Sequence, residues 1–98
     1  MEEIEPISPA EKAEQEARDA QSAREAILTF CRDFGISHTR FAHVYGCSKS
    51  YMSQMLSGAR NPNHSVMVLA FHRFGYMPKQ DIKSGVWSFD KMEETVFL

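Results

Sequence analysis

Apolar positions recur at spacings of three and four along most of the 98-residue chain, the period of a helix face. Residues 1–7 read as a disordered lead. The stretch "SPAE" then sets Ser8, Pro9 and Glu11 as N-cap, first-turn proline and capping-box partner. Strong helix formers continue unbroken to Phe34, where Gly35 is a natural C′ stop. A single rod over residues 9–34 would be about 39 Å long at about 1.5 Å per residue. Only its later part, with Ala20, Ala23, Ile27, Phe30, Cys31 and Phe34, carries a face apolar enough to pack on a core. The earlier part offers the thin stripe Ala10, Ala13, Ala17 and Ala20, which leaves it to project, to pair with a partner or to fray.

Shorter segments follow. "ISHTRFAHVYG" predicts a second helix over residues 37–45 ended by Gly46, and "SKSYMSQMLSG" a third, capped by Ser48 and ended by Gly58. Asn61, Pro62 and Asn63 make a turn and cap, after which a fourth helix runs to Phe74 before Gly75. A fifth is expected from Pro78 to near Gly85. Period-two alternation is confined to the brief "VWSF" of residues 86–89, so the chain reads as all-α. The tail "FDKMEETVFL" fits a short amphipathic helix or an extended arm equally well.

Composition bounds the chain to one small domain, and the net charge of −2 singles out no partner. The distribution of charge is more informative. Residues 1–25 carry eight acids against Lys12, Arg18 and Arg24, whereas residues 27–83 carry seven basic residues against Asp33 and Asp81, together with all four histidines. A basic middle suits a polyanion, and the acidic flank argues against indiscriminate binding. No apolar run approaches the ~20 residues that span a bilayer, and the acidic start is no secretory signal. A cytoplasmic protein with reduced thiols is expected. Cys31, His38, His43 and Cys47 are four potential metal ligands, but none of their spacings forms the paired clip of a structural zinc site. The cysteines are therefore expected as small core residues, with no metal and no cofactor. No nucleophile stands with a positioned base, so no enzyme is expected.

The stretch "FAHVYGCSKSYMSQMLSGARNP" carries the candidate chemistry. Two short helices joined by a tight glycine turn form a helix-turn-helix, whose second helix enters the DNA major groove. Ala42 is small where the helices would cross, and Gly46 supplies the left-handed bend. Phe41, Tyr45, Cys47, Met52, Met55 and Leu56 fall inward, leaving Lys49, Ser50, Ser53, Gln54 and Ser57 outward. Short hydroxyls let such a helix sit deep in a groove. Lysine can donate to guanine acceptors, and glutamine can pair as donor and acceptor with adenine.

These residues resemble the lambda-repressor-like (Cro/C1-type, XRE) DNA-binding domains, from about His38 through "TRFAHVYGCSKSYMSQMLSGARNP" to Phe74. The resemblance covers about half the chain. It implies base contacts by Lys49, Ser50 and Gln54, with Ser53 on the same face, and phosphate contacts by His38 and by Arg60 with its neighbours. Arg40, Ser48, Tyr51, Ser57 and Asn61 complete the expected phosphate set. Arg60, as a phosphate contact, is expected to strengthen all sequences alike.

The expected architecture is a lambda-repressor-like domain of about five helices over residues 20–85. An acidic extension over residues 1–19 precedes it, and a tail over residues 86–98 follows. The fourth helix is apolar around more of its girth than one core stripe needs, which argues for a homodimer on a palindromic operator. Val68, Phe71, Trp87 and Phe89 are the expected interface, with Val96 and Phe97 as further cover; the alternative is that the N-terminal helix or the "VWSF" segment folds back over that face. The expected partner is double-stranded DNA and the expected role a transcriptional repressor. The competing reading is a protein-interaction module, such as an antirepressor or an antitoxin, that uses the acidic N-terminal helix.

Overall fold

The protein is described from a computed structural model that covers residues 8–92. It is mostly helical, with a small two-stranded sheet. Helix α1 (Pro9–Phe34) is one continuous rod: Ser8 caps it by accepting from the Glu11 amide at 3.2 Å, and Gly35 ends it in the left-handed conformation. Three shorter helices follow, α2 (His38–Tyr45), α3 (Lys49–Ser57) and α4 (His64–Phe74). Ser37, Ser48 and Asn63 cap their N-termini through side-chain oxygens, each satisfying one amide that the helix itself leaves free. The expected boundaries of these four helices agree with the structure.

The expectations beyond Gly75 do not. Residues 78–85 form no fifth helix, and the all-α assignment is corrected to helices plus a hairpin. Strand β1 (Tyr76–Gln80) pairs antiparallel with β2 (Trp87–Lys91), with Pro78 opposite Phe89. Asp81 N–H donates to Val86 C=O at 3.0 Å and Met92 N–H to Gly75 C=O at 2.8 Å. Hydrogen-bonded pairs alternate along such a ladder, so Pro78 falls at a non-bonded pair and its missing N–H costs nothing. Inward positions alternate with outward ones, which seats Tyr76, Trp87 and Phe89 against the helices. A helix over residues 78–85 would have had little to bury, since Ile82 is its one large aliphatic side chain. In the connecting turn the Asp81 carboxylate accepts from the amide and the hydroxyl of Ser84, and these bonds hold its pKa below the usual carboxylate value.

The core forms where the second half of α1, α2, α3 and α4 meet. Ala23, Ala26, Ile27 and Phe30 of α1 pack with Phe41, Met52, Met55, Met67, Ala70 and Phe71, all essentially without exposed surface. Phe30 is the hub: the rings of Phe34, Phe41, Phe71, Phe74, Tyr76 and Phe89 lie 4.9–6.0 Å from it, centroid to centroid. Phe89 also lies 4.9 Å from Phe71. The hairpin therefore supplies part of the cover that the apolar fourth helix required, while Leu69 stays 52% exposed. Phe71, fully buried, and Phe89, packed on Phe30 and Phe71, are spent inside the chain, which removes Phe71 from the expected dimer interface and leaves Phe89 only an edge. Val68 and Trp87 are half-buried against the same core. Val96 and Phe97 lie outside the described residues.

Residues 9–19 of α1 have no buried member, and the rod extends past the core as an exposed arm. Among the described residues no helix is long and apolar enough to cross a membrane.

Candidate nucleic-acid interface

Helices α2 and α3 are joined by the turn at residues 46–48. Gly46 adopts φ 95°, a conformation that costs a residue with a Cβ about 1 kcal/mol or more. Its amide and that of Cys47 both donate to Ala42 C=O, at 2.8 and 3.0 Å. Ala42 is 1% exposed, so its methyl lies within the packed junction. Met52 and Met55 bury one edge of α3 completely, and the half-buried Leu56 packs beside them. With that edge fixed, the helix periodicity turns Lys49, Ser50 and Ser53 to solvent, all exposed.

Gln54 is placed differently. It is half-buried, because Arg60 Nε donates to its side-chain Oε1 while the Arg60 guanidinium lies 4.8 Å from the ring centre of Tyr51. Tyr51 and Gln54 are three residues apart on α3 and so share a face. The chain after α3 brings Arg60 back onto that face: Gly58, at φ 97°, turns it, and the amides of Ala59 and Arg60 donate to Gln54 C=O at 2.9 and 3.2 Å.

The other expected contacts are less uniform. Ser48 caps α3 by accepting from Tyr51 N–H at 3.0 Å. Ser57 donates its hydroxyl back to Gln54 C=O at 3.1 Å, which turns its proton away from any ligand. His38 stands exposed at the start of α2, and the Arg40 guanidinium lies 5.9 Å from the Phe74 ring. Asn61 is exposed in the loop after α3 and helps to line a groove of about 610 Å3 with Tyr45, Cys47, Ser48, Tyr51 and Val66.

Arg24 belongs to this site although it sits in the acidic N-terminal stretch. It is 9% exposed; its Nε donates to Met55 C=O at 2.6 Å, its Nη2 to Arg60 C=O at 3.4 Å and its Nη1 to Gln21 Oε1 at 2.6 Å. It thus ties the C-terminal end of α3 and the following loop to α1. An arginine among acids on a polar helix carries no signal of burial. The only hint is its place between Ala23 and Ile27, on the stripe that packs.

Charge is segregated around α3. Residues 36–80 contain no aspartate or glutamate, while Arg40, Lys49, Arg60, Arg73, Lys79 and all four histidines lie there. None of α2, α3 and α4 has an acid in its first turn, where one would normally complement the helix dipole. Lys79 is paired with Asp90 across the hairpin, and Arg73 donates to Val44 C=O at 3.0 Å. Cys31 is buried in the core, which pushes its thiol pKa up to about 11, and partial burial raises that of Cys47 as well. Among the described residues no three His, Cys, Asp or Glu side chains stand close enough together to hold a metal ion.

Set against protein-family models, curated proteins and solved structures, the chain shows no match to any of them.

Proposed function

We propose that this chain is a sequence-specific DNA-binding regulator, cytoplasmic and non-enzymatic, that lays α3 in the major groove of duplex DNA. The observation that carries the reading is the two-sided character of α3. Its Met52–Met55 edge is wholly buried, and its outer face presents a lysine, short hydroxyls and an amide within a segment free of acids. A helix about 10–12 Å across fits a groove about 12 Å wide. Lys49, Ser50, Ser53 and Gln54 meet base edges on this reading, and His38, Arg40, Ser48, Tyr51 and Asn61 lie toward the backbone. The resemblance to lambda-repressor-like domains supports the same docking and adds repression at an operator by two paired copies. The paired surface then lies outside Phe71.

Phosphate neutralisation releases counterions, so affinity must fall with salt. Fluorescence anisotropy with a random-sequence duplex tests this. Binding is expected at about 50 mM salt and is expected to weaken at least roughly tenfold by about 200 mM. Absence of binding at low salt would contradict the reading and favour the second one, a protein-interaction module. That second reading rests on the exposed arm of residues 9–19, which the core does not need.

A further inference from the structure

We infer that Arg60 determines specificity through Gln54, making the pair a reader of guanine, not adenine; the inference rests on the placement of α3 in the major groove proposed above. Free glutamine suits adenine because its Oε1 accepts from the adenine N6 amino group while its Nε2 donates to N7. Here Oε1 is already engaged by Arg60 Nε. A cation lies beside the spot where the adenine amino group would have to approach, and that group is itself a donor.

What the pair presents outward is mainly donors, the two N–H groups of Gln54 Nε2 and the two terminal nitrogens of Arg60, while the second lone pair of Gln54 Oε1 lies beside the guanidinium. Among the described residues the guanidinium's one hydrogen bond is from Nε to Gln54, so neither terminal nitrogen donates to a side chain or carbonyl. Guanine offers two acceptors, O6 and N7, on its major-groove edge and no donor there, so it fits this donor-rich surface better than adenine does. The geometry is held from three sides. The Tyr51 ring flanks the guanidinium, the Gln54 carbonyl gathers the amides of the turn, and Arg24 grips the Arg60 carbonyl. Arg60 is in this account a positioning residue for Gln54 as well as a donor in its own right. This departs from the expectation that it touches phosphate alone.

Selection of bound sites from a random duplex pool tests the inference with wild type, Gln54→Ala, Arg60→Ala and Arg60→Lys. Gln54→Ala identifies the base pair concerned, as the one whose preference it flattens. Wild type is expected to select guanine there. Arg60→Ala should free the glutamine acceptor and move the preference to adenine, a change of roughly five- to hundredfold in relative affinity. Arg60→Lys keeps the charge without the planar fork and should also lose the guanine preference. If Arg60→Ala or Arg60→Lys retained guanine, with all sequences weakened alike, Arg60 would be a phosphate contact and the inference overturned while the DNA reading stood. If the wild type selected no DNA, both would fall.

Discussion

Arg24 illustrates how one side chain couples the arm-bearing helix to the end of α3 and the loop that follows it. Its guanidinium is nearly enclosed, and it donates to two main-chain carbonyls from the far side of α3. Replacing it with methionine keeps the aliphatic stem and removes the donors, leaving the carbonyls of Met55 and Arg60 without this partner. Charge-assisted bonds of this kind are worth about 1.5–3 kcal/mol. Arg24→Met is therefore expected to lower the unfolding free energy by about 2–3 kcal/mol in a urea titration. A loss below about 0.5 kcal/mol, the usual range for surface substitutions, would show that the bonds are not made in solution. Beyond its place on the packing stripe, the sequence does not reveal this role, since it depends on a side chain finding carbonyls 31 and 36 residues away. Lys49, Ser50 and Ser53 were legible, because helical period alone turns them outward. Gln54 was legible in position but not in chemistry: the stop at Gly58 could be read, but the path that then brings Arg60 back onto α3 could not.

At the scale of elements, the four helices were readable because each is bracketed by local chemistry. Ser8, Ser37, Ser48 and Asn63 cap their starts and Gly35, Gly46, Gly58 and Gly75 their ends. The hairpin was not readable. Pro78 and Gly85 carry the same start and stop signals as a helix, and five-residue strands give period two little length in which to show. What decides between the alternatives is tertiary: a strand can bring Trp87 and Phe89 onto α1 and α4, where apolar surface awaits cover. Phe89→Ala should accordingly cost about 3 kcal/mol, comparable to other large truncations in a core. Val86→Ser, three residues earlier in the turn and 62% exposed, should change stability by less than about 0.5 kcal/mol. Equal, small effects in a thermal denaturation series would mean that the hairpin is not integral to the core.

Over the whole molecule, shape and charge run together. The radius of gyration is 15.7 Å, against about 13 Å for a compact chain of 100 residues, and the excess reflects the arm of α1 standing clear of the core. Residues 1–19 carry seven acids and two basic residues, whereas residues 36–80 carry no acid at all. Glu16 and Asp19 share a groove with Asn61, Pro62 and His64, so the acidic end begins beside the loop that follows α3. In the proposed docking, that border would repel a phosphate backbone on one side of α3 and so bias how a duplex lies against it. The central claim, that the outer face of α3 meets duplex DNA, is tested most directly by mapping amide chemical-shift changes on adding a short duplex to the full chain. The account predicts that the changes concentrate at Lys49, Ser50, Ser53 and Gln54 and leave residues 9–19 largely unmoved. Changes confined to that arm, or none at Lys49 to Gln54 while the duplex is bound, would contradict it.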